Sequence, residues 1–158
     1  APSVFKLGVS SRPTLTSMID QLVLVLTALG ALGQGVPLLW RQDTMLEMAV
    51  NTKERAALSN SGFARWCLMA HQGCLHLTLA AVCIIAAALY AVRERFSLHI
   101  LLFVYNSSSI IYHYRMWRQS RGVPTWFAEE SFFWNNCYAI CFSSLVNAIG
   151  VLAAYRQL

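Results

Sequence analysis

Charge is what this sequence withholds. Asp, Glu, Lys and Arg are absent from residues 21–40, 66–92, 96–114 and 131–155, stretches of 20, 27, 19 and 25 residues. All 12 basic and 7 acidic side chains fall in the remainder of the chain. A hydrocarbon core about 30 Å thick is crossed by roughly 20 apolar helical residues. A charge at the centre of such a helix costs roughly 3 kcal/mol. Each charge-free run is therefore long enough to cross a bilayer, and 158 residues leave no room for a separate soluble domain beside them.

Other absences narrow the function. The net charge of +5 is modest and scattered, and no Lys/Arg cluster interleaves with exposed aromatics, so a nucleic-acid partner has little support. There is no Gly-rich phosphate loop, no H-E-x-x-H and no catalytic Ser motif. Clustered carboxylates with His at one depth are also missing. Glu129 and Glu130 are adjacent and point in different directions, and Asp20 belongs to the opposite membrane side. The five cysteines (Cys67, Cys74, Cys83, Cys137, Cys141) all fall inside expected spans. An odd number so placed is no disulfide framework, and buried thiols behave as small hydrophobes. A redox pair near one surface is the alternative. No twin Cys-x2-Cys zinc spacing occurs.

What is present reads as an all-α integral membrane protein, residues 1–158 forming one domain. Four transmembrane helices are expected over about 18–40, 62–91, 97–117 and 126–156, in an antiparallel bundle. An N-terminal arm (1–17) precedes them, and loops 41–61 and 118–125 separate them. Ser17 is the expected cap of the first helix, with Asp20 on the positive end of its dipole. Pro37 should kink or end that helix. In the first loop Thr44-x-x-Glu47 has the form of a capping box. It opens a helix over about 44–58, lying at the membrane surface or packed on a neighbouring subunit. Arg93-Glu94-Arg95 reads as a tight turn that makes the second and third spans antiparallel neighbours. Pro124-Thr125 resets the chain for the fourth, whose aromatic start (Trp126, Phe127, Phe132, Phe133, Trp134) extends past the bilayer core. Both termini share one side of the membrane.

Each span carries one small or polar seam at helical spacing. The seam residues are Gln72 and His76 on the second, Asn106 and Ser109 with His99 and His113 on the third, and Asn136, Ser143, Asn147 and Gly150 on the fourth. The first offers Asp20, Thr27 and Gln34. Small residues and amides are what hold helices together where lipid gives no hydrophobic drive, so the seams are expected to face protein. The functional alternative is a path for protons, lipid head groups or a small ligand.

Histidines within the spans raise haem, because haem iron takes imidazole ligands. His71 and His113 are the pair that antiparallel helices would bring to one face, but His71 stands about 100° off the Gln72/His76 seam. Interfacial or hydrogen-bonded histidines are preferred, and no cofactor is expected. Arg65, Arg115 and Arg118 could hold lipid phosphates, cardiolipin among them, with Glu129 as their partner.

Ala64-Arg65-Trp66 opening the second span, the short turn, and Tyr112-His113-Tyr114 closing the third give residues 62–118 an outline. It resembles that of the small four-span scaffold proteins of sterol biosynthesis and of the DoxX-like membrane proteins. The resemblance implies a four-helix membrane fold and no particular site residue. The leading expectation is a non-catalytic accessory subunit of a large mitochondrial inner-membrane complex, a respiratory complex or the ATP synthase. Its partners would be other membrane subunits and lipid. The first sixteen residues carry Lys6 and Arg12, five Ser/Thr and no acid, a composition like that of an organelle transit segment. Two other functions are open: an endoplasmic-reticulum scaffold for lipid-synthesis enzymes, and a b-type haem electron carrier.

Overall fold

The computed structural model describes residues 14–59, 61, 62, 66–125 and 127–158, with backbone only for 57–59 and 66–68. The N-terminal arm as far as Pro13, Ala64, Arg65 and Trp126 lie outside the described residues. The chain is helical: α1 Leu15–Trp40, α2 Gln42–Ala49, α3 Thr52–Ser59, a π-helical turn Trp66–His71 continuing into α4 Gln72–Leu89, α5 Val92–Ser120 and α6 Glu130–Tyr155. Three segments are long and apolar enough to cross a membrane: Leu15–Trp40, Met69–Leu89 and Glu130–Tyr155. The protein is membrane-embedded on that evidence. The fourth long helix, α5, carries too many polar residues to meet the same measure.

Helix ends differ from expectation where backbone donors find other partners. α1 begins one turn early because Thr14 caps it, its Oγ1 accepting from Ser17 N at 3.2 Å. Ser17 is thus the capped residue and not the cap. Pro37 does not break the helix: the missing N–H falls in the last turn, and Arg41 N still reaches Pro37 O at 2.8 Å. The Thr44/Glu47 box does not form, since α2 starts at Gln42 with Asp43 in its first turn. The single surface helix expected over 44–58 is two helices broken at Val50–Asn51. Asn51 Oδ1 accepts from Glu54 N at 2.9 Å, a local bond that competes with helix continuation. The α4–α5 turn is Tyr90–Ala91, one step before the charged triplet, so Arg93–Arg95 belong to α5. Thr125 caps nothing, because α6 starts only at Glu130 and Glu129 gives no side-chain cap. At 26 residues and about 1.5 Å per residue, α6 is shorter than expected: Phe132, Phe133 and Trp134 lie in its first turns, while Phe127 turns back to pair with Val50.

α4 packs along α1, α5 along α6, and α1 against α6. The α1–α4 contact is close because its residues are small. Leu24, Ala28 and Ala31 meet Ala80, Cys83, Ala86 and Ala87, all buried, and a Cβ on Gly73 would lie 2.7 Å from Leu39 Cγ. Such approach lets van der Waals contact replace the hydrophobic drive that lipid does not supply. α4 and α5, joined by two residues, touch little beyond their link. This corrects the expectation that a short turn makes them packed neighbours. A tight connection fixes where two helices start, and side chains decide whether they stay together. Here each finds its better partner elsewhere, and a cleft opens between them.

At the end away from the termini, Leu46, Val50 and Met69 form a second small core. Val50 pairs with Phe127 in an antiparallel bridge, Ala128 N donates to Ala49 O at 3.3 Å, and Asn51 Nδ2 donates to Thr125 O. Asn51 thus caps α3 and pins two loops together. Asn51→Ala should cost about 1 kcal/mol, the usual worth of such a cap. Limited proteolysis should then cut within 50–59 or 121–129 first, at least several-fold faster than in the wild type.

Candidate functional site

Three segments far apart in sequence bring charge to one enclosed point. Asp20 lies in the second turn of α1, Arg95 and His99 are one turn apart near the start of α5, and Gln157 follows α6. Asp20 and His99 are 0% exposed and Arg95 6%. Arg95 Nε donates to Asp20 Oδ2 at 2.8 Å, and His99 Nε2 donates to Oδ1 at 3.0 Å. Gln157 Nε2 reaches Oδ2 at 3.4 Å and also donates to Ala153 O at 2.9 Å. Arg95 Nη1 donates to the carbonyl of Tyr90 at the turn. A buried ion is tolerated only when paired and hydrogen-bonded, and both carboxylate oxygens here are engaged. The cluster ties α1, α5 and α6 together where all three have an end.

His99 is wedged in place. With its Nε2 proton given to Asp20, Nδ1 has no partner, and the ring lies on Gly150, where a Cβ would stand 2.4 Å from Nδ1. One turn earlier on α6, Asn147 is fully buried; its Nδ2 donates to Ser143 O at 2.9 Å and its Oδ1 has no partner. Further along, Ser107 and Ser144 join α5 to α6 with an Oγ–Oγ distance of 3.1 Å.

Beyond the cluster, toward the middle of the long helices, lies a polar cleft of about 270 Å³. Thr27 and Gln34 of α1, His76 of α4, Asn106, Ser109 and His113 of α5, and Asn136 and Ser143 of α6 all line it. His76 Nδ1 donates to Gln72 O at 2.7 Å and His113 Nδ1 to Ser109 O at 2.8 Å, which leaves each Nε2 as an acceptor. An apolar groove of about 310 Å³ adjoins it between α4 and α5. Its walls include Gln72, Leu75, Leu98 and Leu101, and it shares His76, Leu79, Leu102 and Tyr105 with the cleft. A third cavity, about 250 Å³, lies between α5 and α6 against Trp117, Phe133, Cys137 and Cys141.

The seam residues therefore divide. His76, Asn106, Ser109, Asn136 and Ser143 meet around the cleft, Gln72 lies on its lateral groove, and Asn147 and Gly150 sit at the α5–α6 contact. The haem pair is not brought to one cavity: His113 lines the cleft, while His71 is on the surface at the base of α4. Arg115 and Arg118 are exposed on the last turns of α5, and Arg118 Nη1 donates to Tyr114 OH at 3.3 Å. Among the described residues no ion pair joins either to Glu129, which accepts from Ser131 Oγ at 3.0 Å. Arg65, the third of that set, is outside the described residues. Among the described residues no three His, Cys, Asp or Glu are grouped as metal ligands would be.

Reading charges by their local helix missed the cluster: Asp20 suggested a dipole partner and Arg95 a turn. The signal was present in the topology. An even number of long antiparallel helices puts residues 20, 95 and 157 at the same end, where an acid, a base and an amide can meet. Comparison with protein-family models, with curated proteins and with solved structures finds no match to this chain.

Proposed function

We propose that the chain is a non-catalytic accessory subunit of a large mitochondrial inner-membrane assembly, a respiratory complex or the ATP synthase, with α5 as a fourth span. The observation that carries this reading is the free side of α5. Midway along that helix, Ser108 is exposed; Tyr112 follows one turn on, 64% exposed. Hydroxyls facing acyl chains at that depth lack partners, and Tyr favours the headgroup layer over the bilayer centre. A protein neighbour on that side supplies them. α1 supports the same reading at Gly33, which has nothing within 4 Å of where a Cβ would stand, whereas the open space at Gly30 belongs to the cleft. A small exposed residue on a spanning helix suits close helix approach. The acid-free, Ser/Thr-rich first sixteen residues motivate the compartment.

In this reading the ionic cluster is a tie that keeps three helices in register, and the reaction chemistry belongs to the partners. Mild solubilisation of membranes followed by native electrophoresis should show the chain migrating with an assembly many times its mass. Mass spectrometry of that band should return other multi-span polypeptides. A chain that runs only as a folded monomer, or that fractionates with the endoplasmic reticulum, would count against the proposal.

A further inference from the structure

The central cleft and the groove beside it carry an inference of their own, independent of whether the chain assembles with others. Neither wall contains an Asp, Glu, Lys or Arg. The cleft offers hydrogen-bonding groups that the fold does not use: the side-chain amides of Gln34 and Asn106, and the Nε2 acceptors of His76 and His113. Gln34 is exposed and His76, Asn106 and His113 are half-buried, and at membrane depth, away from water, such groups are costly unless a partner meets them. The groove is walled by Leu75, Leu79, Leu98, Leu101 and Leu102 and runs between two helices that diverge from their link. A polar chamber reached sideways through leucines is matched to a molecule with a small polar head and an apolar tail.

Size and charge decide among occupants. Together the cleft and the groove fall within the roughly 300–1,000 Å³ typical of small-molecule sites. A phosphate-bearing head would enter low dielectric with no cation to meet it, a heavy penalty. A hydroxyl can donate to a histidine Nε2 and accept from the Gln34 or Asn106 amide. We infer that this cleft binds an uncharged, hydroxyl-headed, single-chain lipid. The head lies among Gln34, His76, Asn106 and His113, and the tail lies in the α4–α5 leucine groove.

The test uses the full-length protein in detergent with two photoactivatable probes of equal chain length, a diazirine monoacylglycerol and the corresponding lysophosphatidic acid. The expected result is saturable labelling of α4 and α5 peptides by the first, about tenfold stronger than by the second. Gln34→Leu and Asn106→Leu should each reduce it about tenfold, because an amide matched to a hydroxyl discriminates strongly. Leu98→Trp, which fills the groove and leaves the polar chamber intact, is the second arm should a cleft variant fail to fold, and it should abolish labelling. Equal labelling by the charged probe would overturn the inference. So would labelling insensitive to the folded variants, or crosslinks confined to the outer faces of the helices. Absence of labelling in the wild type would also overturn it, the result expected if another polypeptide fills the cleft.

Discussion

Replacing Asp20 by Asn is expected to destabilise the bundle by about 3–5 kcal/mol, the cost of leaving a buried ion without its counterion. The geometry explains the size. Asp20 is wholly enclosed, and its two oxygens receive Arg95, His99 and Gln157. An Asn keeps the shape but removes the charge, and the Arg95 guanidinium is then left with neutral acceptors only, the amide oxygen and the Tyr90 carbonyl. Arg95 at 6% exposure has little water to turn to. Equilibrium unfolding in mixed detergent–SDS micelles measures the effect, with accumulation in membranes as a second readout. The combined change Asp20→Leu, Arg95→Met, His99→Leu should fall within about 1–2 kcal/mol of wild type, because an apolar set of similar volume avoids the desolvation cost. That pair of results identifies the cluster as a structural tie. Equal losses in the single and triple variants would show instead that the charges are needed for more than each other.

Gly150→Val should be the next most damaging single change, at about 1–3 kcal/mol for overpacking with loss of the His99–Asp20 hydrogen bond added. The first atom of any side chain at 150 would lie 2.4 Å from His99 Nδ1 and 2.5 Å from Cε1. The ring cannot retreat without leaving Asp20, to which its opposite nitrogen is bonded. Gly150→Ala should act in the same direction more mildly. Gly150→Ala combined with His99→Ala should cost less than the sum of the two, with a coupling of about 1 kcal/mol or more. Gly33→Ala is the control. That position has open space where a Cβ would go, so in the isolated protein the change should stay within about 0.5 kcal/mol. In a partnered assembly the same change should weaken association, which separates internal packing from docking.

How much of this was legible in the sequence differs by kind of feature. The long helices follow from charge-free length, since lipid enforces helix formation wherever backbone groups have no water. The placement of Asn106, Ser109, Asn136 and Ser143 on inward faces follows from period, because 3.6 residues per turn leaves them one side. Capping was read less well. Thr14, two residues after Arg12, was a competitor for Ser17 that propensity alone could not rank. Thr44/Glu47 had the right form, but Asp43 and the tight turn from α1 started the helix earlier. The surface helix broke at Asn51 because its side chain had two partners, one local and one 74 positions away. Only the first kind of bond can be read from neighbours.

Chain chemistry alone settled that the molecule is helical, that it belongs in a membrane, and which residues on each long helix share a face. Those properties depend on runs and periods, quantities contained in any twenty consecutive residues. Folding in three dimensions decided that α4 leaves α5 for α1, that Asp20 meets Arg95 and His99 in place of a helix dipole, and that the polar faces enclose a cleft with a leucine-lined side. Those outcomes depend on which of several adequate surfaces packs best. That competition is among whole helices, settled by a glycine under a histidine and alanines against alanines, and no local stretch records it.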